Sequence, residues 1–147
     1  MRLVDDYIDG RSDNVKYMFY APWSKLISRD LVLENGLFFE EIEASNDLVF
    51  SLRLGLAVSS FEVSEKTVYR IFDSPGSLTK QKSLSVLDSR FFAMARYNSI
   101  LKESGKEAHM LPMGHYVRQY VKFGIFLAFK RMIFVVKKGF ALYFGHR

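Results

Sequence analysis

The chain contains no cysteine. Disulfide frameworks and cysteine-based zinc sites are therefore excluded, and a reducing compartment is compatible with the sequence. Its three histidines, His109, His115 and His146, show no His-x-x-x-His spacing, so no helical pair of zinc ligands is present. No run approaches the roughly 20 apolar residues needed to span a bilayer. In the basic tail, the uncharged stretch Phe123 to Phe129 is far too short to cross. The segment Met1-Arg2-Leu3-Val4-Asp5-Asp6 places acids where a secretory signal needs an apolar core. Internal repeats and low-complexity segments are absent. The expected location is cytoplasmic, either free or peripheral at the inner face of the cytoplasmic membrane.

What is present is an apolar fraction of 49% and an aromatic fraction of 16% over 147 residues. That is enough for a packed core and excludes wholesale disorder. The net charge of +5 conceals a division. Residues 1–79 carry eight Lys/Arg and thirteen Asp/Glu, whereas residues 80–147 carry thirteen and three. From His115 to Arg147 there are seven basic residues and no acid. Such a tail suits an anionic membrane surface, a nucleic acid or an acidic partner; a solvated basic face is the plainer alternative.

Residues 1–15 read as a polar loop with turn chemistry at Asp9-Gly10. Val15 to Tyr20 is aromatic and expected to be extended. Pro22 suits the first turn of a helix, with Trp23, Leu26 and Ile27 at i, i+3 and i+4. Asp30 is the expected cap of a further turn that Asn35-Gly36 ends. Ser45 is the expected N-cap of a largely buried helix over 46–58. Phe61 to Phe72 alternates and is rich in β-branched residues, which predicts a strand. Residues 73–77 are a turn, 83–104 a long amphipathic helix stopped by Gly105, and Pro112 a further break. The last helical region, 115–143, is interruptible at Gly124 and Gly139. A single strand leaves its backbone groups without a partner, so pairing with something beyond these elements is expected.

Two stretches carry chemistry. Ala21-Pro22-Trp23-Ser24-Lys25-Leu26 sets an aromatic plate beside a cation, and Ser45-Asn46-Asp47 sets a carboxylate at a helix N-terminus. With Arg29-Asp30, Glu34-Asn35-Gly36-Leu37, Phe39, Phe50, Val68-Tyr69-Arg70 and Pro75-Gly76-Ser77-Leu78-Thr79, they form an ordered series. That series resembles the acceptor-side, C-terminal half of family 2 glycosyltransferases of the bacterial capsule and lipopolysaccharide type, over roughly residues 15–80. The resemblance implies an α/β fold: the C-terminal portion of a GT-A-type domain over residues 1–80, followed by a basic helical region, 81–147. It implies transfer of a sugar from a nucleotide donor to a surface-polysaccharide or lipid-linked acceptor.

In that family an acid at the position of Asp47 is the catalytic base. A carboxylate within reach of the acceptor hydroxyl can take its proton as the new bond forms, and a helix N-terminus favours negative charge. Trp23, Lys25 and Asn46 then fall to the acceptor, and Arg70, Ser77 and Thr79 to a loop over the donor phosphates. The alternatives are a plain helix cap for Asp47, a core tryptophan beside a surface lysine, and an ordinary turn. The family's opening strand and its Asp-x-Asp metal motif are not found, and Asp5-Asp6 lacks the spacing. The chain is thus expected to hold no cofactor itself. A divalent Mn or Mg ion and the nucleotide sugar belong to a longer enzyme that supplies the donor half. On this reading the chain is a part of a glycosyltransferase, inactive alone. The competing reading is a non-catalytic remnant or interaction module whose aromatic and basic tail lies on an anionic membrane. Nucleic-acid binding is the weakest reading, because no recognised motif supports it.

Overall fold

The computed structural model describes residues 2–64, 66, 69–70 and 83–143. They fall into two compact units, Met1–Glu41 with Asn46–Pro75, and Ile42–Ser45 with Gly76–Arg147.

The first unit holds α1 (Arg2–Ile8), α2 (Asn14–Met18), α3 (Arg29–Glu34) and α4 (Asn46–Ala57). The expected N-terminal loop is therefore a helix in part. Its Tyr7 packs on Phe61 with ring centroids 4.7 Å apart. The Asp9-Gly10 turn becomes its C-terminal stop, with Gly10 at φ 68°. The Val15 to Tyr20 stretch is likewise mostly helical rather than extended, because α2 buries Val15 and Tyr17 and packs against α4. Tertiary burial overrides the weak local preference of a five-residue aromatic segment. No helix starts at Pro22. Ser24 turns into the left-handed region at φ 72°, and Leu26 is fully exposed. α3 is capped by the Ser28 hydroxyl, which accepts from Leu31 N, rather than by Asp30. It ends at Asn35 and Gly36 as the sequence indicates.

α4 is the spine of this unit. Leu48, Val49, Phe50, Leu52 and Leu54 are buried along it. Phe50 and Leu54 form a core with Leu37, covered by Ile27, Leu31 and Val32. On another face, Gly55 lets the α2 backbone come very close, so close that a Cβ there would sit 1.9 Å from the Lys16 carbonyl oxygen.

The second unit is built on α5 (Leu84–Glu103), α6 (Gly114–Tyr120) and α7 (Ile125–Lys138), with short 3-10 turns at Glu107–His109 and Val121–Phe123. Ser83 caps α5 by accepting from Val86 N. Gly124, at φ 138°, separates α6 from α7, and Gly139, at φ 72°, ends α7, so both glycines interrupt where the sequence placed them. Buried Asn98 exchanges two hydrogen bonds with the Leu111 main chain, donating from Nδ2 to its carbonyl and accepting from its N–H at Oδ1. Tyr120 and Arg131 converge on Asp88 at 2.5 and 2.7 Å, tying three helices at one carboxylate. The Arg131 guanidinium also lies over the rings of Phe92, Tyr120 and Phe91.

The described residues are helical and contain no strand, which overturns the α/β, GT-A-type expectation. Residues 61–64, 66 and 69–70 of the expected strand are irregular; the remainder of Phe61 to Phe72 lies outside the described residues. Alternation of apolar residues signals two-sided burial only when a neighbouring strand pairs the backbone. Here Phe61 and Tyr69 place their rings on other aromatic side chains instead.

Candidate acceptor site on α4

Asp47 occupies the first turn of α4 and is half-buried. Four residues on, and so on the same helix face, stands Ser51, a buried hydroxyl among apolar neighbours in the chain. Lys25 reaches this face from the irregular segment 19–28. Its ammonium donates to the Phe19 carbonyl at 2.6 Å and to Ser51 Oγ at 3.2 Å, and lies 4.9 Å from the centre of the Phe19 ring. Ser51 Oγ passes the chain on by donating to the Tyr20 carbonyl at 2.5 Å. Three elements are thereby fixed together: the end of α2, the Trp23 turn and the start of α4.

Burial pushes the Lys25 ammonium down to about 8, from an ordinary value near 10.5, while the nearby Asp47 carboxylate pulls the other way. This electrostatic coupling puts the lysine and the carboxylate in one neighbourhood. Two of the three N–H groups of Lys25 are already spent on the protein. Its first job is to hold the loop, and only one donor is left for a ligand. Among the described residues no hydrogen bond to the Asp47 carboxylate is found.

Trp23 is 42% exposed and stacks on Tyr69, with centroids 5.3 Å apart and planes 23° from parallel. It is not a core tryptophan; it belongs to an open aromatic pair on the loop that Lys25 anchors. Among the described residues, the non-glycine positions with positive φ are Ser24 and Ser45. They immediately precede Lys25 and the Asn46-Asp47 pair. Left-handed serine is strained by roughly 1–2 kcal/mol, and such strain is retained where surrounding structure over-determines it. Ser45, at φ 65°, does not have the extended backbone of an ordinary N-cap.

Asn46 is exposed at the start of α4, and Arg70 is exposed one residue after Tyr69. Ser77 and Thr79 lie outside the described residues. Among the described residues no group of three or more His, Cys, Asp or Glu is placed to hold a metal ion. The acids nearest the N-terminus have another use, since Arg11 binds both Asp6 and Asp9 at 2.8 Å.

Sequence reasoning passed over Ser51 and the pairing of Tyr69 with Trp23. For Ser51 the signal was a lone hydroxyl one turn after Asp47 in an apolar run. For Tyr69 no local signal existed, because the partner ring is 46 residues away in the chain.

No family model and no solved structure matches the sequence. Over 115 residues the chain is 27% identical to the cholesterol galactosyltransferase of Borreliella burgdorferi. That alignment covers 77% of this chain and 30% of the relative, so the chain spans less than a third of that protein's length. The chain is thus similar to part of a glycosyltransferase. No helix among the described residues is long and apolar enough to cross a membrane.

Proposed function

We propose that the chain carries the acceptor-side machinery of a glycosyl transfer, with Asp47 as the general base. The observation that supports this most directly is the Lys25 tie. It fastens the Trp23 loop to α4 on the face that bears Asp47, so an aromatic plate, a cation and a carboxylate belong to one locale. An acceptor hydroxyl donates to the Asp47 carboxylate. As its oxygen bonds to the anomeric carbon of the donor sugar, its proton passes to Asp47 and the nucleotide leaves. Trp23 supplies an apolar face for the acceptor ring, and Lys25 acts mainly as a positioning residue. The motif series that resembles family 2 enzymes and the similarity to a galactosyltransferase both favour this class. The relative's sterol substrate favours a membrane-borne lipid alcohol over a soluble polysaccharide as the acceptor. The site then works beside a membrane surface, with the nucleotide sugar held by residues other than those of the α4 site.

Removing a general base lowers the rate by about 10²–10⁴-fold. Membranes from cells producing the chain within an enzyme that also supplies the donor half are incubated with radiolabelled UDP-galactose, and label is counted in the lipid extract. Wild-type protein adds lipid-bound label and Asp47→Asn does not. Equal incorporation by Asp47→Asn would falsify the assignment of the base.

A further inference from the structure

The second unit leaves a broad apolar surface open. On α7, Phe126 is 87% exposed, Ile125 64%, Val136 60% and Phe129 55%. Phe126, Phe129, Ile133 and Val136 follow at i, i+3, i+7 and i+10, so they form one stripe along the helix. Its opposite side is satisfied: Ala128 and Val135 are buried, and Arg131 is bound to Asp88. The stripe is therefore not surplus core residue turned outward by a poorly packed helix. It runs into an apolar groove of about 530 Å³ shared with α6, lined by Val117, Val121, Phe126, Phe129 and Met132.

The charges around the stripe have one sign. Lys130 and Lys137, seven residues apart, run along one edge of it; both are exposed. Lys122 is exposed just before α7, and Arg118 borders the groove. No Asp or Glu occurs between residues 108 and 147. Long basic side chains beside an apolar stripe lay their methylenes on hydrocarbon and keep their ammonium groups at the polar boundary. A second copy of the chain is a poor occupant, because a two-fold contact brings the same cations face to face. An interface of hydrocarbon under a layer of negative charge matches both the stripe and its edge.

We infer that the α6–α7 face docks on an anionic lipid bilayer, with Phe126, Phe129 and Ile133 entering the acyl boundary and Lys122, Lys130 and Lys137 meeting lipid phosphates. This deepens the membrane setting proposed above by naming its surface and lipid class. Vesicle binding needs no sugar transfer, so failure of one reading is distinguishable from failure of the other.

The test is flotation of the full chain with vesicles of phosphatidylcholine alone or mixed with phosphatidylglycerol, at low and high salt. Each basic residue near an anionic surface is worth about fivefold in partitioning. Binding is therefore expected with phosphatidylglycerol, weakened by salt, and lowered at least about 25-fold in Lys130→Glu/Lys137→Glu. Phe126→Ser/Phe129→Ser, on exposed positions, lowers it about tenfold or more, with an unchanged melting curve. Three results overturn the inference: no flotation with phosphatidylglycerol at low salt, flotation indifferent to both double variants, or a dimer in light scattering that Phe126→Ser dissolves.

Discussion

Gly55→Ala separates local preference from tertiary fit, because the two predict opposite signs. In an isolated helix the change is favourable by up to about 1 kcal/mol. Within this protein the new Cβ would stand 1.9 Å from the Lys16 carbonyl oxygen and 2.9 Å from its carbon. Ordinary contact lies near 3.5 Å, so α2 must withdraw by roughly 1.5 Å. The obstructing atoms are main chain, which cannot step aside by rotating a side chain. Overpacking of this kind costs about 1–3 kcal/mol. The displacement also carries off the Phe19 and Tyr20 carbonyls, which follow α2 directly and accept from Lys25 and Ser51. Two loosened hydrogen bonds add about 1–2 kcal/mol. After the propensity gain, a net loss of about 1–4 kcal/mol is expected for the unit containing α4. Trp23 is the sole tryptophan and belongs to that unit, so urea unfolding followed by its fluorescence reports the right transition. A midpoint equal to or above the wild-type value would refute the close approach of α2 and α4, and with it the seat of Lys25.

Further outcomes follow from the charged groups. After reductive 13C-methylation, one lysine resonance should titrate near 8, apart from the rest, and disappear in Lys25→Met. Because the folded-state value lies below the unfolded one, the unfolded chain binds more protons between about 8 and 10.5, and stability of this unit should rise with pH across that window. A flat stability profile there, identical in Lys25→Met, would contradict the half-buried ammonium. In the second unit, Asp88→Ala strips the partner from Arg131, whose side chain is only 16% exposed, and from the Tyr120 phenol. Burial and the Asp88 carboxylate raise that phenol well above its ordinary range, so it stays protonated. A loss of about 2–4 kcal/mol is expected by thermal melting, with Asp88→Asn retaining part of it; a change within about 0.5 kcal/mol would show the cluster to be surface-like.

The helices of the second unit were legible because their signals are local. Ser83 caps α5, Gly105 follows its end, and Gly124 and Gly139 bracket α7; each depends on backbone geometry available within a turn or two. The same holds for α4, whose apolar run fixes a buried helix regardless of what it meets. The expected strand failed for the complementary reason. Its alternation is a statement about two faces, and only a pairing partner converts it into a sheet. α1 and α2 were missed because both are short, and their helicity comes from packing on α4 and Phe61 rather than from propensity.

By itself the sequence determined which residue types are available for chemistry: a carboxylate opening an apolar helix, an aromatic beside a lysine, and a tail with cations and no acids. It could not determine that Lys25 is largely consumed by Phe19 and Ser51, that Trp23 lies open against Tyr69, or that the aromatic stripe of α7 faces outward. Composition and spacing fix what a segment can do within a few turns. Burial, and the distance between groups far apart in the chain, exist only once the helices have packed.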